Sequence, residues 1–424
     1  MKVIADLHIH SRYSRACSTA LSIANLEKWA RVKGVNLLGT GDFTHPEWIK
    51  ELKSTLFDDG TGIYKTKSGF PFMLTTEVSS IYSQDDKGRR VHNVIFAPSL
   101  EVVSQITEYF KSKGRVDYDG RPIFKISCRD LIYDLRKISD KIEVIPAHIW
   151  TPWFSLFGSN SGFDTLKDAF GDQTQHINAL ETGMSSDPEM NWRLSQLDGK
   201  KLVSFSDSHS FWPWRLGREA TIFEMKELTY NNILKSLRGD SGITSTIEVD
   251  PGYGKYHIDG HRNCSVEMEP EDAIKHNNIC PVCKKPLTLG VAHRVEELAD
   301  RKLGFKPKNA LPFQKIIPLS EILAKAIGKN IATKSVWAVY NKLIESFKSE
   351  YNVLLNVSKN NLLKQTPVKI AELIMLNREG LLKVKPGFDG VYGEIVLDSN
   401  VKKSNLDNFE NELSSNQKSL GKFI

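Results

Sequence analysis

Apolar residues in the first 245 positions come in short runs: VIADLHI, VNLLGTG, FMLTTE, HNVIFAP, EVIPAHI, INALETG and KLVSFSD. Between the runs, residues 22–33, 99–113, 128–140 and 229–238 repeat apolar side chains at the spacing that gives a helix one buried face. Strands alternating with helices predict an α/β fold with a parallel sheet, and this many strands predict a barrel. Most runs end on a polar residue, namely His8, Asp42, Glu77, His148, Glu181 or Asp207. In an α/β barrel the carboxyl ends of the strands share one mouth, so these side chains are expected to meet there.

The pattern changes twice further on. Residues 241–261 are rich in Gly, Pro and Ser without a helical period, and read as a linker into a small cysteine-bearing module. After residue 300, PLSEILAKAIG, SVWAVYNKLIESF and PVKIAELIMLNREGLL carry apolar residues at helical spacing. The expected organisation is therefore a barrel over 1–245 and a metal-binding module with its linker over 246–300. A mainly helical domain over 301–398 and a polar tail over 399–424 follow. No run is long and apolar enough for a membrane span, and the first residues lack a signal-peptide layout, which points to an intracellular, cytoplasmic protein.

Charge sharpens this division. Residues 301–424 hold 20 Lys and Arg against 11 Asp and Glu, whereas residues 1–300 hold 37 against 40. An acid-richer front suits cations, and a basic helical end suits a polyanion such as nucleic acid.

The candidate chemistry sits at the strand ends. In order, the donors are His8 and His10, Asp42 and His45, Glu77, His92, His148, then Asp207 and His209. Imidazole and carboxylate together suit Zn²⁺, Mn²⁺ or Fe²⁺, and a glutamate among histidines can bridge two cations. Asp6 shares a strand face with His8 and His10 and is placed to steady an imidazole from behind. A separate set, His261-x₂-Cys264 followed by Cys280-x₂-Cys283, offers two ligand pairs joined by a loop, as structural Zn²⁺ requires. His257 and His293 are alternatives for its imidazole. Aromatic residues near the late strand ends, Trp150, Trp153, Phe211, Trp212 and Trp214 with Arg215, could stack on an unpaired base or fill a core.

The DLHIHS motif, the Gly-Asp pair, the glutamate after an apolar strand, the isolated histidine and the late SDSH resemble the polymerase-and-histidinol-phosphatase (PHP) superfamily. That resemblance implies a distorted seven-stranded (β/α) barrel that hydrolyses phosphoesters with two or three divalent cations. Zinc is the expected metal, with Mn or Mg as substitutes in activity. It implies catalytic roles for His8, His10, Asp42, Glu77, His148, Asp207 and His209, with His45 and His92 as further ligands. The superfamily's second motif is an adjacent Asp-His pair, whereas Phe43 and Thr44 here separate Asp42 from His45.

With HRNC…CPVC, LGVAHRVEELADR and the basic helical end added, nearly the whole chain resembles the endonuclease Q family of DNA-repair enzymes. The resemblance implies cleavage of the phosphodiester 5′ of hypoxanthine, uracil, xanthine or an abasic site in duplex DNA, with the lesion nucleotide flipped out of the stack. A small-molecule phosphatase of the histidinol-phosphatase kind is the alternative, and would leave the cysteine module and basic helices without a task. A non-catalytic lesion-binding scaffold is the other alternative. The final QKSLGKFI resembles the peptide by which proteins bind sliding clamps of the PCNA type, with Gln417, Leu420, Phe423 and Ile424 as anchors.

Overall fold

The computed structural model describes residues 1–239 and 241–396. The expected helices form at Ile23–Lys33, Leu100–Lys113, Cys128–Ile138 and Tyr230–Arg238. Each begins at a hydroxyl (Ser22, Ser99, Ser127, Thr229) that accepts a bond from a first-turn backbone N–H, which would otherwise lack a partner. The first helix ends at Gly34, whose φ of 96° is a left-handed stop that glycine adopts without a Cβ penalty. Leu26, Trp29 and Ala30 on that helix, and Val103, Ile106 and Phe110 on the second, are buried at helical spacing.

Every expected strand is present, most shorter than the apolar run, though β4 and β5 extend beyond theirs. They are β1 (Lys2–Asp6), β2 (Leu37–Gly39), β3 (Pro71–Met73), β4 (Thr75–Gln84), β5 (Lys87–Phe96), β6 (Glu143–Pro146), β7 (Ala179–Glu181) and β8 (Lys201–Val203). To these are added β9 (Ala220–Glu224), β10 (Ile243–Glu248) and β11 (Phe313–Lys315). Direction departs from the all-parallel expectation. β1–β2, β2–β3 and β7–β8 are parallel, but β9 runs antiparallel to both β1 and β10. β4 and β5 form an antiparallel hairpin turned at Asp85 and Asp86, both at positive φ (54° and 57°) as a tight two-residue hairpin turn demands. Such a turn leaves no room for the crossover helix that a parallel pair needs. The ladders divide among sheets of eight, four and two strands, so the expected barrel is not one continuous hydrogen-bonded ring among the described residues.

β10 stands where a linker was expected. Its sequence, ITSTIE, is rich in β-branched residues, and it pairs with β9 on one side and β11 on the other. The region beyond is mainly helical, with helices at Leu319–Ile327, Lys334–Phe347, Glu350–Leu355 and Val368–Arg378. A buried pair ties it to the first helix. Lys33 Nζ donates to Glu350 Oε1 and to the Pro213 carbonyl, each at 2.7 Å. Glu350 also accepts from Leu319 N–H at 3.0 Å and from the Tyr340 hydroxyl at 2.8 Å, so neither buried charge is left unsatisfied. Among the described residues, no helix is long and apolar enough to cross a membrane.

Candidate metal centre

Residues far apart in sequence converge from the segments past the ends of β1, β2, β6 and β8 and from within the β4–β5 hairpin. Ligand atoms of His8, His10, Glu77 and Asp207 lie within 4.8 Å of one another, as do those of Glu77, His92 and His148. Glu77 belongs to both sets. Its Oε2 faces His10 Nε2 at 3.3 Å and His8 Nε2 at 3.6 Å, while its Oε1 faces His92 Nδ1 at 2.8 Å and His148 Nε2 at 3.2 Å. The hairpin register produces part of this arrangement. His92 is paired with Ser79, two residues along β4 from Glu77, so Glu77 and His92 share one face.

Three residues of the centre adopt backbone conformations that side chains rarely take. Asp42, His148 and Asp207 have φ of 46°, 30° and 47°. Left-handed conformations at non-glycine residues cost about 1–3 kcal/mol each and persist only where the surrounding fold enforces them. All three lie just past the end of a strand, where the chain turns sharply to aim its side chain.

Carboxylates behind the rings fix their orientation. Glu181 accepts from His8 Nδ1 at 2.9 Å and from the His148 backbone N–H at 2.7 Å. Asp42 Oδ1 contacts His10 Nδ1 at 3.0 Å, and its Oδ2 accepts from Ser11 N–H and from the Ser11 and Ser14 hydroxyls. With Nδ1 held in this way, His8 and His10 each present Nε2 to the centre, the arrangement by which second-line acids set ligand tautomer. Asp42 was expected among the ligands; its oxygens are instead spent on His10 and two serines.

The donor set fits divalent cations. His8 Nε2 is buried without a hydrogen-bond partner, 3.6 Å from both Glu77 Oε2 and Asp207 Oδ1. Burial alone would disfavour charge on His8 and His10, yet the surrounding carboxylates outweigh it and raise both well above the usual imidazole range. Burial likewise works against ionising Glu77, but the charges of His92, Arg121 and His8 hold its carboxyl well below the ordinary value. The centre thus demands positive charge, which protons on imidazole or divalent ions can supply. His92, driven by burial down to about 4, stays neutral as a ligand must.

The remaining expected residues lie beside the two sets. His45 stacks on Tyr13 with centroids 4.3 Å apart and does not join either group, since Phe43 and Thr44 carry the chain away before it. His209 sits at the mouth, its Nδ1 3.0 Å from the Asp207 carbonyl and its ring 4.4 Å from that of His10. Asp6 faces away from the imidazoles. It accepts from Ser206 N–H and hydroxyl and from Gly217 N–H, tying β1 to the loop beyond β8, and burial raises it to about 6.

The aromatic candidates separate by burial. Trp150 is wholly buried, donates Nε1–H to Asn191 at 2.8 Å and packs on Phe157, so of its two expected roles it takes core filling and not contact with a base. Phe211 is also buried, stacked on Trp29. Trp153 is exposed, while Trp212 and Trp214 are half-buried and stacked on each other 5.1 Å apart, with Arg215 beside them. The clamp-like residues Gln417, Leu420, Phe423 and Ile424 lie outside the described residues.

In the cysteine module, ligand atoms of His261, Cys264, Cys280 and Cys283 lie within 4.8 Å of one another. Of the alternative imidazoles, His293 is engaged by Asp259 at 2.5 Å, and His257 is half-buried outside the group. The Cys280–Cys283 knuckle is closed by Cys280 N–H to the Lys285 carbonyl and Lys284 N–H to the Cys280 carbonyl. Helix Val291–Leu298 docks the module onto the front of the chain: Arg294 donates to the carbonyls of Phe157 and Phe163. In the basic region after residue 300, Lys315 is paired with Asp187 at 2.7 Å.

Sequence reasoning placed Glu181 with the strand-end groups without giving it a role, and it did not find Arg121. Glu181 carried a signal, being polar at a strand end like the ligands. Arg121, whose Nη1 donates to Glu77 Oε2 at 3.0 Å, comes from a loop without any motif.

Known proteins resemble the chain at several levels. Residues 318–381 match the family described as the MJ0043 C-terminal domain. The uncharacterized protein MJ0043 of Methanocaldococcus jannaschii is 33% identical over 312 residues, 72% of this chain, and the chain spans 36% of that protein's length. YqxK of Bacillus subtilis, also uncharacterized, is 28% identical over 415 residues, covering 93% of this chain and 99% of YqxK. The crystal structure of the lesion-specific endonuclease PfuEndoQ from Pyrococcus furiosus superposes with a TM-score of 0.86 at 33% identity, over 99% of this chain and 100% of that one. An endonuclease Q complex with a 27-mer duplex bearing an abasic lesion at its active site superposes equally well (TM-score 0.86, 33% identity, 96% and 100% covered). With a third of its residues identical along essentially the whole length of both chains, the protein belongs to the endonuclease Q family.

Proposed function

We propose that this protein is a metal-dependent DNA-repair endonuclease that cuts the phosphodiester 5′ of a deaminated base or an abasic site. The observation that carries the reading is Glu77, whose two oxygens face two separate histidine sets at 2.8–3.6 Å in a chain that superposes fully on endonuclease Q. His8, His10, Glu77 and Asp207 would hold one divalent cation, and Glu77, His92 and His148 a second. Such ions supply an acidified water and neutralise charge gathering on the phosphate. The chain's own groups do the rest. Glu181 and Asp42 keep the His8 and His10 rings oriented, and the burial of His8, His10 and Glu77 keeps bulk water from the floor of the site. His261, Cys264, Cys280 and Cys283 hold a structural zinc.

Deaminated or missing bases weaken pairing, so extruding that nucleotide costs less than extruding a normal one, which gives a physical basis for selectivity. Trp153, Trp212, Trp214 and Arg215 retain the exposure to contact an extruded base or an unpaired strand. The tail residues Gln417, Leu420, Phe423 and Ile424 are proposed to engage a sliding clamp. The test is direct: purified protein with Zn²⁺, Mn²⁺ or Mg²⁺, on duplexes carrying one deoxyinosine, deoxyuridine or abasic site. A nick 5′ of the lesion is expected. Hydrolysis of phosphomonoesters without a lesion-dependent nick would favour the small-molecule phosphatase, and lesion binding without hydrolysis the scaffold.

A further inference from the structure

Arg121 reaches the centre from the loop between helices Leu100–Lys113 and Cys128–Ile138. Gly120 lets that loop lie against the floor. A Cβ at Gly120 would sit 2.2 Å from Asp42 Oδ2 and 2.4 Å from Ser14 Oγ, distances no side chain tolerates. Asp119 steadies the approach, its Oδ1 accepting from the backbone N–H of Arg121 at 3.2 Å and of Arg15 at 3.3 Å. The Arg121 side chain is 24% exposed and those of Asp207 and His209 31% each, whereas those of Glu77, His8 and His10 show 1% or less. Arg121 therefore stands on the solvent side of the centre with Asp207 and His209, where a phosphodiester first arrives.

We propose that Arg121 is a catalytic residue of this centre, donating hydrogen bonds to a non-bridging oxygen of the scissile phosphate. The proposal rests on the phosphoesterase reading above. A guanidinium carries five N–H donors in a planar fork; the Glu77 contact uses one, and the rest suit phosphate oxygens. In the hydrolysis, the oxygen of water bonds to phosphorus and the P–O3′ bond breaks. One proton of the water ends on O3′ and the other leaves to solvent. Arg121 neither gains nor loses a proton; it stabilises the negative charge spread over the phosphate oxygens at the transition state. A residue that served only as counter-ion to Glu77 would instead govern how well the centre retains cations. The two roles therefore part on measurement.

The experiment uses full-length, zinc-loaded protein as wild type, Arg121→Ala and Arg121→Lys. Binding of inorganic phosphate is titrated calorimetrically, metal per chain is counted by elemental analysis, and single-turnover nicking is timed on an abasic duplex. Arg121→Ala is expected to weaken phosphate binding by about tenfold or more and to slow nicking about 10²–10³-fold, the usual cost of removing one transition-state donor. Metal content and duplex affinity should stay at the wild-type level. Arg121→Lys keeps the charge beside Glu77 but not the fork, and should fall between the two. Equal phosphate affinity in wild type and Arg121→Ala, no phosphate binding by the wild type, or loss of cations in step with loss of phosphate affinity would overturn the proposal. A wild type that binds phosphate through Arg121 yet leaves the lesion duplex intact overturns the endonuclease reading and spares the clamp.

Discussion

The molecule gathers metal-ligand groups in two places by opposite means. The Glu77 centre draws candidate ligands from His8 to Asp207, all but the half-exposed Asp207 buried, and set by strands sharing a large core. The cysteine group draws all four ligands from 261–283, and the module around them has a buried apolar core of Ala273, Cys280 and Leu287. In the first region the fold makes the site: strained backbone, Glu181 and Asp42 orient the rings. In the second so little apolar surface is buried that a bound ion would act as the staple. Removing metal should therefore silence the first region without unfolding it, and unfold the second.

The largest effect is expected where metal replaces a core. Structural zinc contributes about 10–16 kcal/mol to the folding of small zinc-finger peptides. Cys280→Ser should lower zinc by one ion per chain and expose 259–288 to hydrogen exchange, while amides in β4 and β5 stay protected. Retained protection across 259–288 would mean that the module folds on its own packing.

Next comes His8→Ala. It removes a donor shared with Glu77 and Asp207 but no strand pairing, so nicking should fall by about 10³-fold or more while duplex affinity and the thermal midpoint barely move. A large drop in midpoint would show that the centre is part of the core and not a site built on it.

A smaller effect is expected at the junction with the helical region. Lys33→Met leaves Glu350 buried opposite an apolar side chain and should cost about 3–5 kcal/mol in chemical denaturation, with Lys33→Met/Glu350→Leu recovering most of it. No recovery in the double variant would show that packing, not the ion pair, joins the regions.

The smallest effect concerns how much unpaired acid the strand region can store. Burial raises the Glu248 carboxyl to about 8, above its ordinary 4.5, so the folded chain holds a proton that the unfolded chain releases. Its contribution is complete below the unfolded value and is lost as pH rises through about 8. The slope of stability against pH should not exceed about 1.4 kcal/mol per unit from this group. Glu248→Gln should flatten the decline; an unchanged slope would assign the decline to other groups.

The sequence made the candidate ligands legible because strand ends mark themselves: an apolar run followed by His, Asp or Glu is readable without any contact information. The cysteine pairs were legible for the same reason, since a knuckle is local. What escaped was non-local. FMLTTE and HNVIFAP look like two strands of a parallel sheet, and only their pairing shows a hairpin that sets Glu77 beside His92. Asp42 looks like its neighbours in one dimension; its hydrogen bonds show it standing behind His10, outside the two ligand sets. Trp150 and Trp214 are equivalent as letters, and burial alone separates them. Arg121 sits in RVDYDGRPIF, a stretch without periodicity, and acquires its place only because Gly120 can touch Asp42.

The central claim is that Glu77 joins two cations into one hydrolytic centre. Glu77→Gln keeps the shape and removes the charge, and metal content and nicking can be read on the same zinc-loaded sample with an abasic duplex. The account predicts the loss of at least one catalytic ion per chain and no detectable nick, with duplex binding intact. Wild-type metal content together with wild-type nicking in Glu77→Gln would contradict it.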